Sequence, residues 1–216
     1  MTLTAINILL DPDAATVEKA QATNALLRKD FPHGFALDAN HAPHITLLQQ
    51  FVRTADLDDV AKAVTEVLGT EQAMKWESNA ISYYALADKE LRLVGIVIEP
   101  TEEMLRLQQR IIDAVAPFAV EKGTSEAFAP RLDGGAIGQP TIDYVNTFVG
   151  SRTGMNYHPH LTVGIGTSDF VDALKAEPFE AFTVRAISVS LYQVGDYGVA
   201  QKKLYDLHRT DPLPSW

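Results

Sequence analysis

Apolar positions in this chain fall into short uninterrupted runs and longer helical stripes, punctuated by proline, glycine and acidic residues. The run "TAINILL" at 4–10 ends at Asp11-Pro12 and reads as a strand. Residues 13–30 read as a helix and 43–52 as a second strand. Over 56–68 the spacing predicts a helix with Leu57, Val60, Ala61, Val64, Val67 and Leu68 on one face. Segments 79–86 and 91–98 flank "ADKE" and predict a hairpin. A helix over 101–116 turns Met104, Leu105, Gln108, Ile111, Ile112 and Val115 inward. Strand 159–165, short helix 168–176, strand 182–194, a turn and strand 202–208 complete the order. Helices alternate with strands, but the hairpins require antiparallel pairing, so the expected class is α+β.

The pattern also repeats. "INILLDPDAATVEKAQ" (6–21) matches "VGIVIEPTEEMLRLQQ" (94–109), "PHITL" (43–47) matches "PHLTV" (159–163), and "NAISYYAL" (79–86) matches "RAISVSLY" (185–192), in the same order. The expected architecture is one bilobal domain over 1–216 with two pseudo-symmetric lobes. Each lobe holds an antiparallel sheet and helices, with a cleft between them. The first repeat covers about 1–90 and the second about 91–210. Pro12 to His44 is 32 residues and Pro100 to His160 is 60, so the second repeat carries about 28 more. The surplus falls in 119–147, "AVEKGTSEAFAPRLDGGAIGQPTIDYVNT", whose Gly, Pro and polar content predicts a loop or lid. Its Gly134, Gly135 and Gly138 make no phosphate loop, since no lysine follows and no helix signal begins there.

Composition narrows the function. The 216 residues are 46% hydrophobic and 21% charged, which is ordinary for a globular chain. No run approaches the roughly 18 apolar residues of a membrane span. The N-terminus does not read as a signal peptide, and the expected location is cytoplasmic, with no membrane partner. There are no cysteines, hence no thiolate metal site or thiol nucleophile. Eighteen Lys and Arg stand against 28 acids, a net charge of −10 without basic clusters, which argues against long nucleic acid as a partner. A small phosphorylated ligand in one pocket needs only a few donors, and a monomer is expected.

The chemistry lies in two short stretches, "HAPHITLLQQF" (41–51) and "YHPHLTVGIG" (157–166). On a strand, positions i and i+2 share a face. His44 therefore projects with Thr46, and His160 with Thr162. Two imidazoles and two hydroxyls meeting in one cleft suit phosphodiester cleavage. A neutral imidazole takes a proton from water, a protonated one delivers a proton to the leaving oxygen, and hydroxyls hold the non-bridging oxygens. No cofactor and no metal are required.

The pair "HITL" and "HLTV" resembles the two defining motifs of the two-histidine phosphoesterase superfamily. That family includes RNA 2′,3′-cyclic phosphodiesterases, also called 2′-5′ RNA ligases, and plant cyclic nucleotide phosphodiesterases. The resemblance spans essentially the whole chain. It implies His44 and His160 as the catalytic pair, Thr46 and Thr162 as phosphate anchors, His160 as the base acting on water and His44 as the acid. The implied reaction is hydrolysis of a 2′,3′-cyclic phosphate, a related small cyclic nucleotide or a short RNA end. A nucleotide- or phosphate-binding module without turnover, and a 2′-5′ RNA end ligase, are the alternatives.

Around this core, His158, on the same face as His160, is a candidate substrate contact. Arg131 and Arg152 are candidates for closing over a phosphate, and Phe51, Tyr157 and Tyr192 for stacking on a base. His33, His41 and His208 read as structural or surface residues. A zinc site from His41, His44, His158 and His160 is disfavoured, because His41 and His44 are three positions apart and neither motif has a neighbouring acid.

Overall fold

A computed structural model of the chain describes residues 2–70, 77–88, 90–131 and 133–209. Lys89 of the expected "ADKE" turn lies outside them. The strands are β1 (Leu3–Pro12), β2 (Ile45–Arg53), β3 (Glu77–Asp88), β4 (Leu91–Ile98), β5 (Ala119–Val120), β6 (His160–Thr167), β7 (Phe182–Val194) and β8 (Ala200–Arg209). The helices are α1 (Ala14–Asp30), α2 (Leu57–Leu68), α3 (Glu102–Val115), α4 (Gln139–Ser151) and α5 (Ser168–Ala176). None of the described helices is long and apolar enough to cross a membrane.

The α+β class and antiparallel pairing are as expected. The sheet runs β5-β2-β1-β7-β3-β4-β6, with β8 also on β7. The long strand β7 joins its two halves. Phe182–Arg185 pair with β3, while Ala186–Gln193 pair with β1 and Ser188–Val194 carry β8. Apart from β5 and β8, which add to β2 and β7, the three-stranded centre of each half-sheet takes two strands from one sequence repeat and its third from the other: β2-β1-β7 and β6-β4-β3. The repeats exchange their third strands.

A proline closes β1 at Pro12 and follows β4 at Pro100, and the helix behind each opens on a capping side chain. Asp13 Oδ1 accepts from Thr16 N at 2.9 Å, and Thr101 Oγ1 accepts from Met104 N at 3.2 Å. The main core gathers Ile6, Ile8 and Leu10 of β1, Ile96 and Ile98 of β4, and the buried stripes of α1, α2 and α3. Burial in α2 and α3 follows the expected faces, with Leu107 joining the buried set and Leu105 and Ile112 only half-buried.

Both motif strands carry a β-bulge just after the threonine. Ile8 pairs with Leu48 but Leu9 pairs with Thr46, leaving Leu47 unmatched. Val94 pairs with Gly164 but Gly95 pairs with Thr162, leaving Val163 unmatched. A bulge frees a carbonyl and re-aims neighbouring side chains. Each freed carbonyl is taken by a buried amide from a helix of the other repeat. Asn24 Nδ2 of α1 donates to Val163 O at 2.8 Å and to Phe35 O at 3.0 Å, while Asn24 Oδ1 accepts from Leu37 N. Gln108 Nε2 of α3 donates to Leu47 O at 3.0 Å and to Arg152 O at 3.4 Å, while its Oε1 accepts from Gly154 N. One amide therefore ties the bulge of one motif to the segment that leads into the other.

The expectation for 119–147 is corrected. Residues 139–147 open α4, which follows directly on Gly138 and carries Pro140 in its first turn. Those residue types suit a helix start as well as a loop. Thr141, Ile142, Val145 and Phe148 are its buried face, and Ile142 and Val145 pack on Phe51 and Phe128. The insertion forms a packed wall, with β5 extending β2.

Gly164 makes the second bulge possible. Its φ is +148°, and a Cβ there would lie 2.9 Å from Asn24 Nδ2. Gly164→Ala is expected to destabilise the chain by about 1–3 kcal/mol, measured as a shift in the urea midpoint. An unchanged midpoint would show that the bulge tolerates a side chain.

Candidate functional site

In both motifs the residue before the histidine is proline, which biases the residue before it to extended backbone. The carbonyl of that upstream residue then accepts from the ring. His44 Nδ1 donates to Ala42 O and His160 Nδ1 donates to His158 O, both at 2.8 Å. A carbonyl can only accept, so each Nδ1 carries hydrogen and each Nε2 is left as the nitrogen that gains or loses a proton.

The two motifs meet. His44, Thr46, His160 and Thr162 line one cleft of about 520 Å³, together with Tyr157, His158 and Arg152. Tyr84, Leu86, Leu93, Val97, Pro140, Tyr144 and Phe148 form much of its remaining wall. Arg152 is the one permanently charged side chain among these residues, and its guanidinium sits 5.5 Å from the centre of the Tyr144 ring. Tyr157 is buried and donates its hydroxyl to Thr46 O at 2.7 Å, so it presents its ring to the cleft while tying the two motifs together.

The frame is symmetric but the groups beneath the imidazoles are not. Counted from the residue opposite the motif threonine, Leu9 corresponds to Gly95, Asn7 to Leu93 and Asp11 to Val97. This ladder register is two positions away from the sequence alignment, which sets Asn7 against Gly95. An even slip keeps every side chain on its face. Asn7 Nδ2 lies 3.3 Å from His44 Nε2 and 3.5 Å from Thr46 Oγ1. On the other side Gly95 makes room for Tyr84, whose ring would sit 2.1 Å from a Cβ at that position. Tyr84 packs edge-on to His160 at 4.8 Å and hydrogen-bonds Thr162 through its hydroxyl.

Burial lowers the proton affinity of both imidazoles below the ordinary 6.5, partly offset by the Nδ1 bonds. The remaining charges act in opposite senses. Asp11 favours a proton on His44, whereas His44 and Arg152 disfavour one on His160. Burial pushes the Tyr84 hydroxyl up to about 12, so it remains neutral.

Three proposed contacts lie elsewhere. Phe51 is 0% exposed and stacks edge-on with Phe128 in the core beneath α4. Arg131 is held by Asp133 and Asp196, and Asp196 also accepts from Gly138 N and Thr141 Oγ1; the arginine docks the insertion onto the β7–β8 turn. Tyr192 is buried beside Leu9 and Ala200. Of the other histidines, His41 lines a small pocket beside His44 and Thr162, while His33 and His208 lie away from the cleft. His41 stacks on Phe35 and bonds Asp38, His33 packs on Phe31, and His208 is exposed on β8. Among the described residues, no three His, Asp or Glu side chains are grouped as metal ligands.

Sequence reading missed Asn7, Asp11, Tyr84, Tyr144, Asn24 and the bridging role of Gln108. One signal was present: Gly95 interrupts the apolar strand "LRLVGIVI", and a glycine inside a strand marks a close approach.

No curated protein matches the chain at a significant level. Among solved structures, E. coli LigT complexed with 3′-AMP is 13% identical, with 95% of this chain and 96% of that chain covered and a TM-score of 0.48. LigT complexed with phosphate gives 14%, the same coverage and 0.46. Kluyveromyces marxianus Usb1 gives 8%, 94% and 96%, and 0.42. Those values are too low to bear on chemistry. Residues 10–196, which contain both motifs, match the family model described as the 2′-5′ RNA ligase superfamily. The chain belongs to that superfamily.

Proposed function

We propose that the cleft hydrolyses a small phosphodiester, a nucleoside 2′,3′-cyclic phosphate or a related short RNA end, without a metal ion. The observation that carries this reading is the convergence of two His-x-Thr motifs on one cleft, each imidazole with Nδ1 tied back and Nε2 left for proton transfer. His160 Nε2 takes a proton from water as the water oxygen bonds to phosphorus. The bond from phosphorus to the ribose oxygen breaks, and His44 Nε2 gives that oxygen its proton. The products are a phosphomonoester and a free hydroxyl. Thr46 and Thr162 donate to the non-bridging oxygens, and Arg152 offsets their charge. Asp11 beside His44 and Arg152 beside His160 favour this assignment of acid and base.

The walls support a small substrate. Leu86, Leu93, Val97, Tyr144 and Phe148 offer apolar surface for a ring, and a single arginine suits one phosphate better than a polyanion.

The test is turnover of a panel of nucleoside cyclic phosphates with chelator present. His44→Ala and His160→Ala are each expected to lower the rate by roughly 10²–10⁴-fold, with binding of a nucleoside monophosphate retained by calorimetry. Binding without turnover in the unaltered chain would reject the enzyme in favour of a binding module. A panel that turns over only without chelator would reject the metal-free reaction.

The pH dependence follows from the same groups. The reaction requires His160 without its proton and His44 with it, giving a bell-shaped kcat/KM. Burial lowers both imidazoles, so the optimum is expected on the acid side of 6.5. An optimum well above 6.5 would contradict the assignment of these two groups as base and acid.

A further inference from the structure

Asn7 stands at the centre of β1 with no solvent exposure. Asparagine is poorly suited to a strand, and its ladder counterpart in the other half-sheet is Leu93, so the fold itself does not demand an amide there. Its Nδ2 faces His44 Nε2 and Thr46 Oγ1. Its Oδ1 is buried without a hydrogen-bond partner. A buried orphan oxygen is destabilising and calls for a local reason.

We propose that Asn7 is a positioning residue that partners His44 in both of its protonation states. With His44 neutral, Asn7 Nδ2–H donates to the lone pair of Nε2. With His44 protonated, Nε2 carries hydrogen and can only donate. A half-turn of the amide about its Cβ–Cγ bond then presents the orphan Oδ1 as acceptor, and no backbone atom moves. The ring stays in one plane through both states, because Ala42 O holds Nδ1 in each. The second imidazole has no such partner. His160 has the edge of Tyr84 beside it and Leu93 at the position corresponding to Asn7.

This rests on the acid role proposed for His44 and adds the group that holds its proton ready. The charged and titratable groups around His44 are Asp11 on β1, His41 ahead of β2, and His160 on β6, with Arg152 at the end of α4 across the cleft.

The experiment is an NMR titration of the ¹⁵N-labelled imidazoles in the full chain, comparing the unaltered protein with Asn7→Leu and Asn7→Asp. Asn7→Leu removes the acceptor and is expected to lower the His44 midpoint by about one pH unit, a tenfold change in its protonation equilibrium. Asn7→Asp supplies a permanent acceptor and is expected to raise it. His160 should move less in both. An unmoved His44 midpoint in both variants overturns the proposal, as does an equal movement of both imidazoles, the mark of general loosening. If Asn7→Leu does not fold, Asn7→Asp and Asn7→Ser carry the same comparison. With a cyclic phosphate substrate, Asn7→Leu is expected to lower kcat by roughly 10²-fold at little change in KM. An unaltered chain that turns nothing over refutes the proposed reaction, yet the titration still decides the role of Asn7.

Discussion

Each motif imidazole is bound through Nδ1 to a peptide carbonyl two residues upstream, and everything the cleft can do depends on that bond. It selects the tautomer, orients the ring and leaves one nitrogen for chemistry. Proline supplies the backbone bias that makes it, at 43 and again at 159. The bulges extend the same control to the threonines. Asn24 and Gln108 then lock each bulge to the approach segment of the opposite motif, so neither motif is positioned by its own repeat alone.

A symmetric frame would give two interchangeable imidazoles. The side chains added to it remove the equivalence. Near His44 lie an amide and a carboxylate, Asn7 and Asp11; the matching places near His160 hold Leu93 and Val97. Tyr84 lies across Gly95, and Arg152 faces His160 from α4. Asp11 favours a proton on His44 and Arg152 disfavours one on His160, while Asn7 turns its Nδ2 toward the Nε2 of the neutral His44 ring. Burial lowers both affinities, so the difference between the two imidazoles comes from their neighbours and not from the rings.

Much of this was legible in the sequence for a physical reason. Strand alternation and helical stripes are local, and the boundaries read from them fall within a few residues of those observed. Two-residue periodicity was enough to pair His44 with Thr46 and His160 with Thr162. What it could not supply was register. The two first strands align by sequence with Asn7 against Gly95, but their ladders are offset by two, and only pairing with the motif strand decides between them. The helix over 139–151 was missed because Gly138 and Pro140 are signals shared by loops and helix starts. Phe51 and Arg131 were misplaced because a strand aromatic and a loop arginine look alike in sequence whether they meet a ligand, a core or a carboxylate. Asn24 acts through a contact 139 residues away, which no local pattern reveals.

The exchange of third strands has a consequence for how such a chain could arise. A polypeptide holding only one repeat could not finish its own three-stranded unit. It would do so by lending its last strand to a twin and borrowing the twin's in return, a domain-swapped pair. Fusing two copies end to end turns that loan between molecules into a fold within one. From then on each copy is free to diverge, one gathering polar groups beneath its histidine and the other apolar ones.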